Sequence, residues 1–444
     1  MITIETSAGF LPEKTYSFDV LLRQLLGIDY HVVITERPNY LLRLPNGGTV
    51  IIEDHFFGKL PDGDYLHAAN IPVSADTFAQ PYALPERLTA IHGHSKFIFY
   101  KQSINCGLDV FASAFFMLTR WEEHVHPERD EHGRFLAKYA LAGRAGFLER
   151  PVVNEYANLL WQMLARLGWL LPRVERQYSL HLSHDVDYPR LWPSAAARLR
   201  TLGGSILRRR QPKETAYWLK KHFFHRKDPY DTFDDLMDMA EQVGRPAHFN
   251  FLGERPKSSN AWYALDQPYI KKVLEKITAR GHVVGFHPSY EAYDDPLAFE
   301  RELASLRRIS GQAVTSGRQH FLRFAAPETW QRWADAGLDW DSSAGYSDYA
   351  GFRAGICDTY PVFNFLTRQQ LPLREKPLLA MDVTLALNEH LGPEAAFAQL
   401  ERLRREVRKH QGEFTLLWHN SSWNTYFWAN WQEYYRAFIG DTPG

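Results

Sequence analysis

"YSLHLSHDVD", residues 178–187, decides how the rest of the chain reads. Apolar and polar residues alternate through it, which reads as a strand with a polar C-terminal end. On a strand, residues two apart project to the same face. Asp185 and Asp187 therefore point together, and His184 points the other way. Two carboxylates side by side repel, and one takes up a proton unless a cation separates their roles. A divalent metal on one would leave the other ionised and free to act as a base. The alternative is a pair of strand-end aspartates capping the next loop. The stretch alone leaves both readings open.

Outward from this strand the chain alternates. Helical patterns at 230–244, 267–281, 296–311, 327–337 and 393–412 are separated by strand patterns at 247–253, 282–289, 317–324, 338–343, 376–385 and 413–422. Repeated β–α order predicts a mostly parallel sheet covered by helices, open or closed to a barrel. Such sheets place their sites at the C-terminal strand ends, where the polar residues cluster here. "GHVVGFHPSYE" carries His282 and His287 on opposite strand faces. His287, nearer the strand end, is the better metal ligand, and His282, after the helix-ending Gly281, reads as structural. "GRQHFLRF" puts Arg318 and His320 on one face, and "TLLWHNSSW" ends in His419. Four strand ends carrying Asp/Asp, His, Arg/His and His together favour a metal-assisted hydrolase.

Composition bounds the alternatives. The 444 residues predict two domains. The chain is 45 % apolar and 23 % charged, which is globular. A formal net charge of −1 gives no whole-molecule attraction to nucleic acid. Two cysteines, Cys106 and Cys357, exclude a disulfide framework and turn attention to the 19 histidines as metal ligands. The N-terminal stretch "MITIETSAGFLPEKTYSFDV" lacks a signal-peptide pattern. The longest apolar run, 159–171, is too short to span a bilayer and contains Arg166. A soluble cytoplasmic protein is the expectation.

Three segments carry secondary readings. Residues 107–125 predict an amphipathic helix. Glu122 and Glu123 near its end point in different directions, which favours a solvated or interdomain role over a catalytic one. A basic insertion at 198–227 would overhang the site and could meet an anionic substrate or a membrane surface, although a solvated helical excursion is the blander reading. The aromatic run "SWNTYFWANWQEYY", with Trp423 and Trp428, could stack sugars but at helical spacing reads first as core.

With these residues in place, the chain resembles the polysaccharide deacetylases of the nodulation-deacetylase type. "SHDVD" looks like their first motif, "GHVVGFHPS" their second, "LLWHNSS" their last, and "PAHFNFLG" resembles the strand between the first two. "RQHFLRF", "DSSAGYSDYAGFRAG" and "AMDVTL" look like a bacterial subgroup with a different, uncharacterised N-terminal domain. The resemblance covers roughly residues 176–425. It implies a distorted (β/α) barrel over 176–444, preceded by a smaller α/β domain at 1–140 and a helical linker at 141–175. It also implies one divalent ion, zinc, and an acetylated glycan or its precursor as substrate.

By position, the resemblance makes Asp185 the base, Asp187 and His287 metal ligands, and His419 the acid. Where the family's second motif carries a further histidine, this chain has Glu291. Glu291 and His320 are the candidates for the third ligand, and His320 is preferred because a proline turn follows His287 directly. The arginine that orients the base maps to Arg318, with Arg323 the other candidate. The aspartate that tunes His419 is Asp341 or Asp382. A glycoside hydrolase would also need paired carboxylates, but neighbours on one strand fit it poorly and leave the histidines unexplained. A glycan-binding protein with a degenerate site is the remaining alternative.

Overall fold

A computed structural model describes residues 1–82, 87–205, 211–224, 227–253 and 263–440. Its strands are β1 (Ile2–Thr6), β2 (Tyr30–Ile34), β3 (Asn39–Arg43), β4 (Thr49–Glu53), β5 (Asp76–Ala79), β6 (Arg87–Ala90), β7 (Gly93–Phe99) and β8 (Ser103–Leu108), then β9 (Ser179–Val186), β10 (His248–Leu252), β11 (Val283–His287) and β12 (Ser316–Gly317). After these come β13 (Trp340–Asp341), β14 (Tyr360–Asn364), β15 (Gln369–Glu375), β16 (Ala380–Met381) and β17 (Glu413–Leu417). The chain divides into two compact units, each mixed α/β. The first takes in residues 1–179, 324–379 and 405–413, and the second residues 180–323, 380–404 and 414–444.

In the first unit, six strands run in the order β2-β1-β3-β4-β8-β7, beside a β5-β6 hairpin and the group β14-β15-β13. The segment 107–125 departs from the amphipathic helix expected of it. It divides into the end of β8, a helix at Val110–Thr119 and a short helix at Trp121–Val125. Asp109 caps the first helix by accepting from Ala112 N at 3.0 Å, and Arg120 breaks the run with φ 56°. Every residue of Val110–Thr119 is buried, as expected for a helix apolar on all sides.

Glu122 and Glu123 are correspondingly not solvated. Both are 1 % exposed. The Glu123 carboxylate lies between Arg120, at 2.8 Å, and Arg353. Glu122 accepts from Leu141 N at 2.6 Å. A carboxylate is buried only when paired, and these are.

In the second unit the strands run β12-β11-β10-β9-β17-β16. β9, β10, β11 and β12 pair in parallel, as do β16 and β17. Ser179 N bonds Gly412 O and Trp418 N bonds Ser183 O, so β9 and β17 also advance together. No pairing joins β12 to β16 among the described residues. Helices at Phe233–Gln242, Pro268–Ala279 and Pro296–Ser310 follow β9, β10 and β11 in the chain. The strand expected at 317–324 is mostly absent. β12 stops at Gly317, and His320–Leu322 forms a 3₁₀ turn with Phe321 at φ 60° and Leu322 at φ 53°. Left-handed backbone at two bulky residues costs about 1–3 kcal/mol each and persists where the surroundings impose it.

The described parts of the basic insertion form helices at Ala195–Gly204 and Pro212–Phe224. Its arginines 208–210 and 226 lie outside the described residues. Trp423 and Trp428 are 1 % and 8 % exposed. They pack with Trp418, Trp431 and Tyr435 and belong to the core rather than to a stacking wall. No helix among the described residues is long and apolar enough to cross a membrane.

Two buried histidines in the first unit give a pH signature. Burial drives His92 and His410 down to about 3, the latter with help from Lys409 and Arg173. As pH falls below about 6.5, the unfolded chain takes up protons that the folded chain refuses. The stability these residues contribute is present above that pH and is lost toward pH 3. Between pH 7 and pH 5, urea unfolding is expected to lose about 2 kcal/mol for each of the two. Replacing His410 with Gln should remove about half of that pH dependence, and an unchanged slope would exclude a neutral buried His410.

Candidate metal and acid–base site

The site assembles at the C-terminal ends of the parallel strands of the second unit. Asp185 and Asp187 close β9, His287 closes β11, Arg318 follows β12, Asp382 follows β16 and His419 follows β17. His184 turns away from them. It is fully buried, packs on Phe249 and donates from Nδ1 to Trp418 O at 2.7 Å. Burial pushes its pKa down to about 4.

The two aspartates meet different surroundings. Asp185 Oδ1 accepts from Asn250 Nδ2 at 2.7 Å and from Arg318 Nη1 at 2.9 Å. Arg318 Nη2 reaches Ser183 Oγ at 3.0 Å. Burial alone would raise the Asp185 pKa, but Arg318, His287, His419 and the Asn250 hydrogen bond together outweigh it and hold the carboxylate below its usual value. The other carboxylate oxygen, Oδ2, lies 3.9 Å from His287 Nε2.

Asp187 faces imidazoles instead. Its Oδ1 lies 3.3 Å from His287 Nε2 and 3.4 Å from His320 Nε2. His287 donates from Nδ1 to Arg318 O at 2.7 Å. In the neutral ring that leaves Nε2 bare and free to bind a cation. With no cation there, burial is outweighed by Asp185 and Asp187, which raise the His287 pKa and favour a proton on Nε2 facing Asp187. Asp187 Oδ1 is buried with no hydrogen-bond partner. Lone pairs converging on a buried carboxylate oxygen repel unless a proton or a metal ion lies between them.

The ligand atoms of Asp187, His287 and His320 all lie within 4.8 Å of one another. Zinc bonds of about 2.0–2.1 Å in a tetrahedron separate ligand atoms by about 3.3 Å. The residues therefore fit a divalent ion, and the Arg318 carbonyl fixes the His287 tautomer as metal-bound histidines require. The 3₁₀ turn at 320–322 is what delivers His320 to this cluster. Glu291 lies in its own turn at Glu291–Tyr293 and is not part of the cluster.

His419 completes the set. Its Nδ1 donates to Asp382 Oδ1 at 2.7 Å, and its backbone N donates to Asp382 Oδ2 at 3.0 Å. Its Nε2 is 3.8 Å from Asp187 Oδ2. Burial would lower the His419 pKa, but the carboxylates of Asp382, Asp187 and Asp185 together raise it to about 10, which favours the protonated ring. Of the two aspartates considered for this role, Asp382 makes the contact, and Asp341 accepts from Ser343 Oγ at 2.6 Å. Arg323 does not serve Asp185. Its guanidinium lies between the rings of Tyr290 and Tyr293, 4.1 and 4.2 Å from their centroids, and bonds Tyr290 O and Asp294.

Sequence reasoning missed Asn250. The signal was available: an asparagine in the middle of the apolar strand "HFNFL" demands a buried partner. Asp185, Asn250 and Gly285 stand in register across β9, β10 and β11. A Cβ on Gly285 would sit 2.0 Å from Asn250 Oδ1, and one on Gly317 would sit 1.8 Å from Phe286 O. Both positions need glycine for close approach rather than for a turn.

A family of unknown function, DUF7033, matches residues 2–168. No curated protein matches the chain. Among solved structures, the chain is similar to a candidate polysaccharide deacetylase from Mycobacterium smegmatis, at 15 % identity and a TM-score of 0.39, over 62 % of this chain and 86 % of that one. It is similar to the Puue allantoinase at 10 % identity and a TM-score of 0.38, over 60 % and 84 %. It is similar to a probable polysaccharide deacetylase from Pseudomonas aeruginosa PAO1 at 11 % identity and a TM-score of 0.36, over 60 % and 84 %. At these scores the functional argument rests on the geometry of the site.

The register of Asn250 and Gly285 can be tested directly. Gly285→Ala is expected to cost about 1–3 kcal/mol through overpacking, read as a drop in Tm. In an Asn250→Ala background the added methyl meets Ser316 O first, at 3.3 Å, and most of that cost should vanish. An equal cost in both backgrounds would show that the two side chains do not compete for space.

Proposed function

We propose that this chain is a metal-dependent hydrolase that removes acetyl groups from acetylated sugars of a cell-surface polysaccharide or its precursor. One observation carries the reading. Two aspartates on one strand are given opposite partners, Asp185 an arginine and Asp187 two imidazole nitrogens. The proposed fold of the second unit is the distorted barrel of the family that the motifs resemble.

Asp185 is the proposed base. Asn250 and Arg318 occupy its Oδ1 and fix its plane, which leaves Oδ2 to take a proton from the attacking water. Its pairing with Arg318 keeps it ionised. Asp187, His287 and His320 would hold a divalent ion, zinc by the chemistry of the donors. When bound, that ion supplies Lewis acidity to the acyl carbonyl and acidifies water. His419 is the proposed acid, and Asp382 on its Nδ1 aims Nε2–H at the leaving sugar nitrogen or oxygen. A glycoside hydrolase or a bare glycan-binding surface has no use for this division of labour.

Acetate release from acetylated glucosamine oligomers tests the reading. Chelation is expected to abolish it and zinc to restore it. Asp185→Asn should lower kcat by about 10²–10⁴-fold with bound metal unchanged, and His419→Gln should fall in the same range. Wild-type turnover in Asp185→Asn would falsify the assignment of the base.

A further inference from the structure

Outside the site already described, the described residues bring one other set of metal-ligating side chains together. Glu53 ends β4, His55 follows it by two, and His94 is the second residue of β7. All three belong to the first unit, and their ligand atoms lie within 4.8 Å of one another. Glu53 Oε2 is 2.9 Å from His55 Nε2 and 3.3 Å from His94 Nε2. The donor set is one carboxylate and two imidazole Nε2 atoms. The Asp187 cluster has the same donors at 3.3 and 3.4 Å.

The backbone around these residues is shaped to seat the rings. A Cβ on Gly107 would sit 2.0 Å from His94 Cε1 and 2.2 Å from its Nδ1. Gly93 holds φ 95°, and a Cβ there would crowd Gly107 O at 2.2 Å and His55 Cδ2 at 3.1 Å. Two glycines on neighbouring strands thus leave the space that the imidazoles use. The backbone N of His55 donates to Asp109 Oδ2 at 2.9 Å, and Asp109 is itself fixed as a helix cap. The His55 backbone is therefore held in place. The rings meet edge to face, 5.0 Å apart.

We propose that Glu53, His55 and His94 form a second divalent-metal site, of the zinc class, separate from the Asp187 cluster. Two imidazoles with one carboxylate select zinc-like transition ions over magnesium or calcium, which prefer all-oxygen shells. Three protein ligands leave a coordination position open. The side chains of Glu53, His55 and His94 are 39 %, 20 % and 46 % exposed, so that position faces solvent and takes water or an anionic ligand. Binding at Nε2 leaves the His94 ring proton on Nδ1, so the long 3.3 Å hydrogen bond that Lys96 N donates to His94 Nδ1 is given up when the ion binds.

Zinc titration of the full-length protein tests this, followed by calorimetry and by metal content after gel filtration. The wild type is expected to bind two equivalents. Asp187→Ala should retain one, and adding His55→Ala or His94→Ala should abolish it or weaken it by about tenfold or more. If Asp187→Ala does not fold, His94→Ala in the wild-type background should lower the count from two to one. Gly107→Ala, which removes no ligand, should weaken the same equivalent by displacing the His94 ring. Unchanged stoichiometry and affinity in both histidine variants would overturn the site, and so would binding indifferent to Glu53→Gln.

Discussion

Arg318 and Asp185 meet at 2.9 Å with both side chains shut away from solvent. Taking two charges out of water is costly, and their attraction compensates only when the remaining hydrogen-bonding capacity is also met. Here it is met locally, by Asn250 on the carboxylate and Ser183 on the guanidinium. That requirement reaches into the sheet. Asn250 must lie flat against β11, so the residue beside it is Gly285. The chain must also leave β12 at the point where Arg318 can turn inward, and there Gly317 lets it run against Phe286. The cluster around Asp187 is arranged on this frame rather than beside it.

The alternation of helix and strand in the second half of the chain was legible because amphipathic helices have a period that strands lack. So was the division of β9 into Asp185 and Asp187 on one face and His184 on the other, since pleating alone dictates it. The curved path after Gly317 was not legible. "GRQHFLRF" has a strand's composition, and only the pull of neighbouring groups turns Phe321 and Leu322 into a left-handed bend. Asn250 escaped notice because it looks like an interruption in an apolar strand until Asp185 is known to stand beside it. Choosing Asp382 over Asp341 depended on tertiary position, which spacing along the chain does not encode.

The first unit shows the same limit from the other side. Glu123 looks like a surface charge, because its partner Arg353 is some 230 residues away in sequence. Lys14, fully buried, lies 2.8 Å from Ser7 Oγ and 3.6 Å from Asp54. Charges that would be solvated on an isolated helix become interior groups once distant segments supply their counterions. Local sequence reports propensity and period but says nothing of which opposite charge the fold brings near.

Arg318 serves two groups through two different parts of itself. Its guanidinium holds Asp185, and its main-chain carbonyl takes the Nδ1 proton of His287. Truncating the side chain removes the first contact and leaves the second intact, since every amino acid brings a carbonyl. Substitution at 318 therefore reads out only the half of the residue that acts on Asp185. The other half, which keeps the His287 nitrogen bare toward Asp187, answers only to a change in the path of the backbone, and Gly317 is the residue that sets that path.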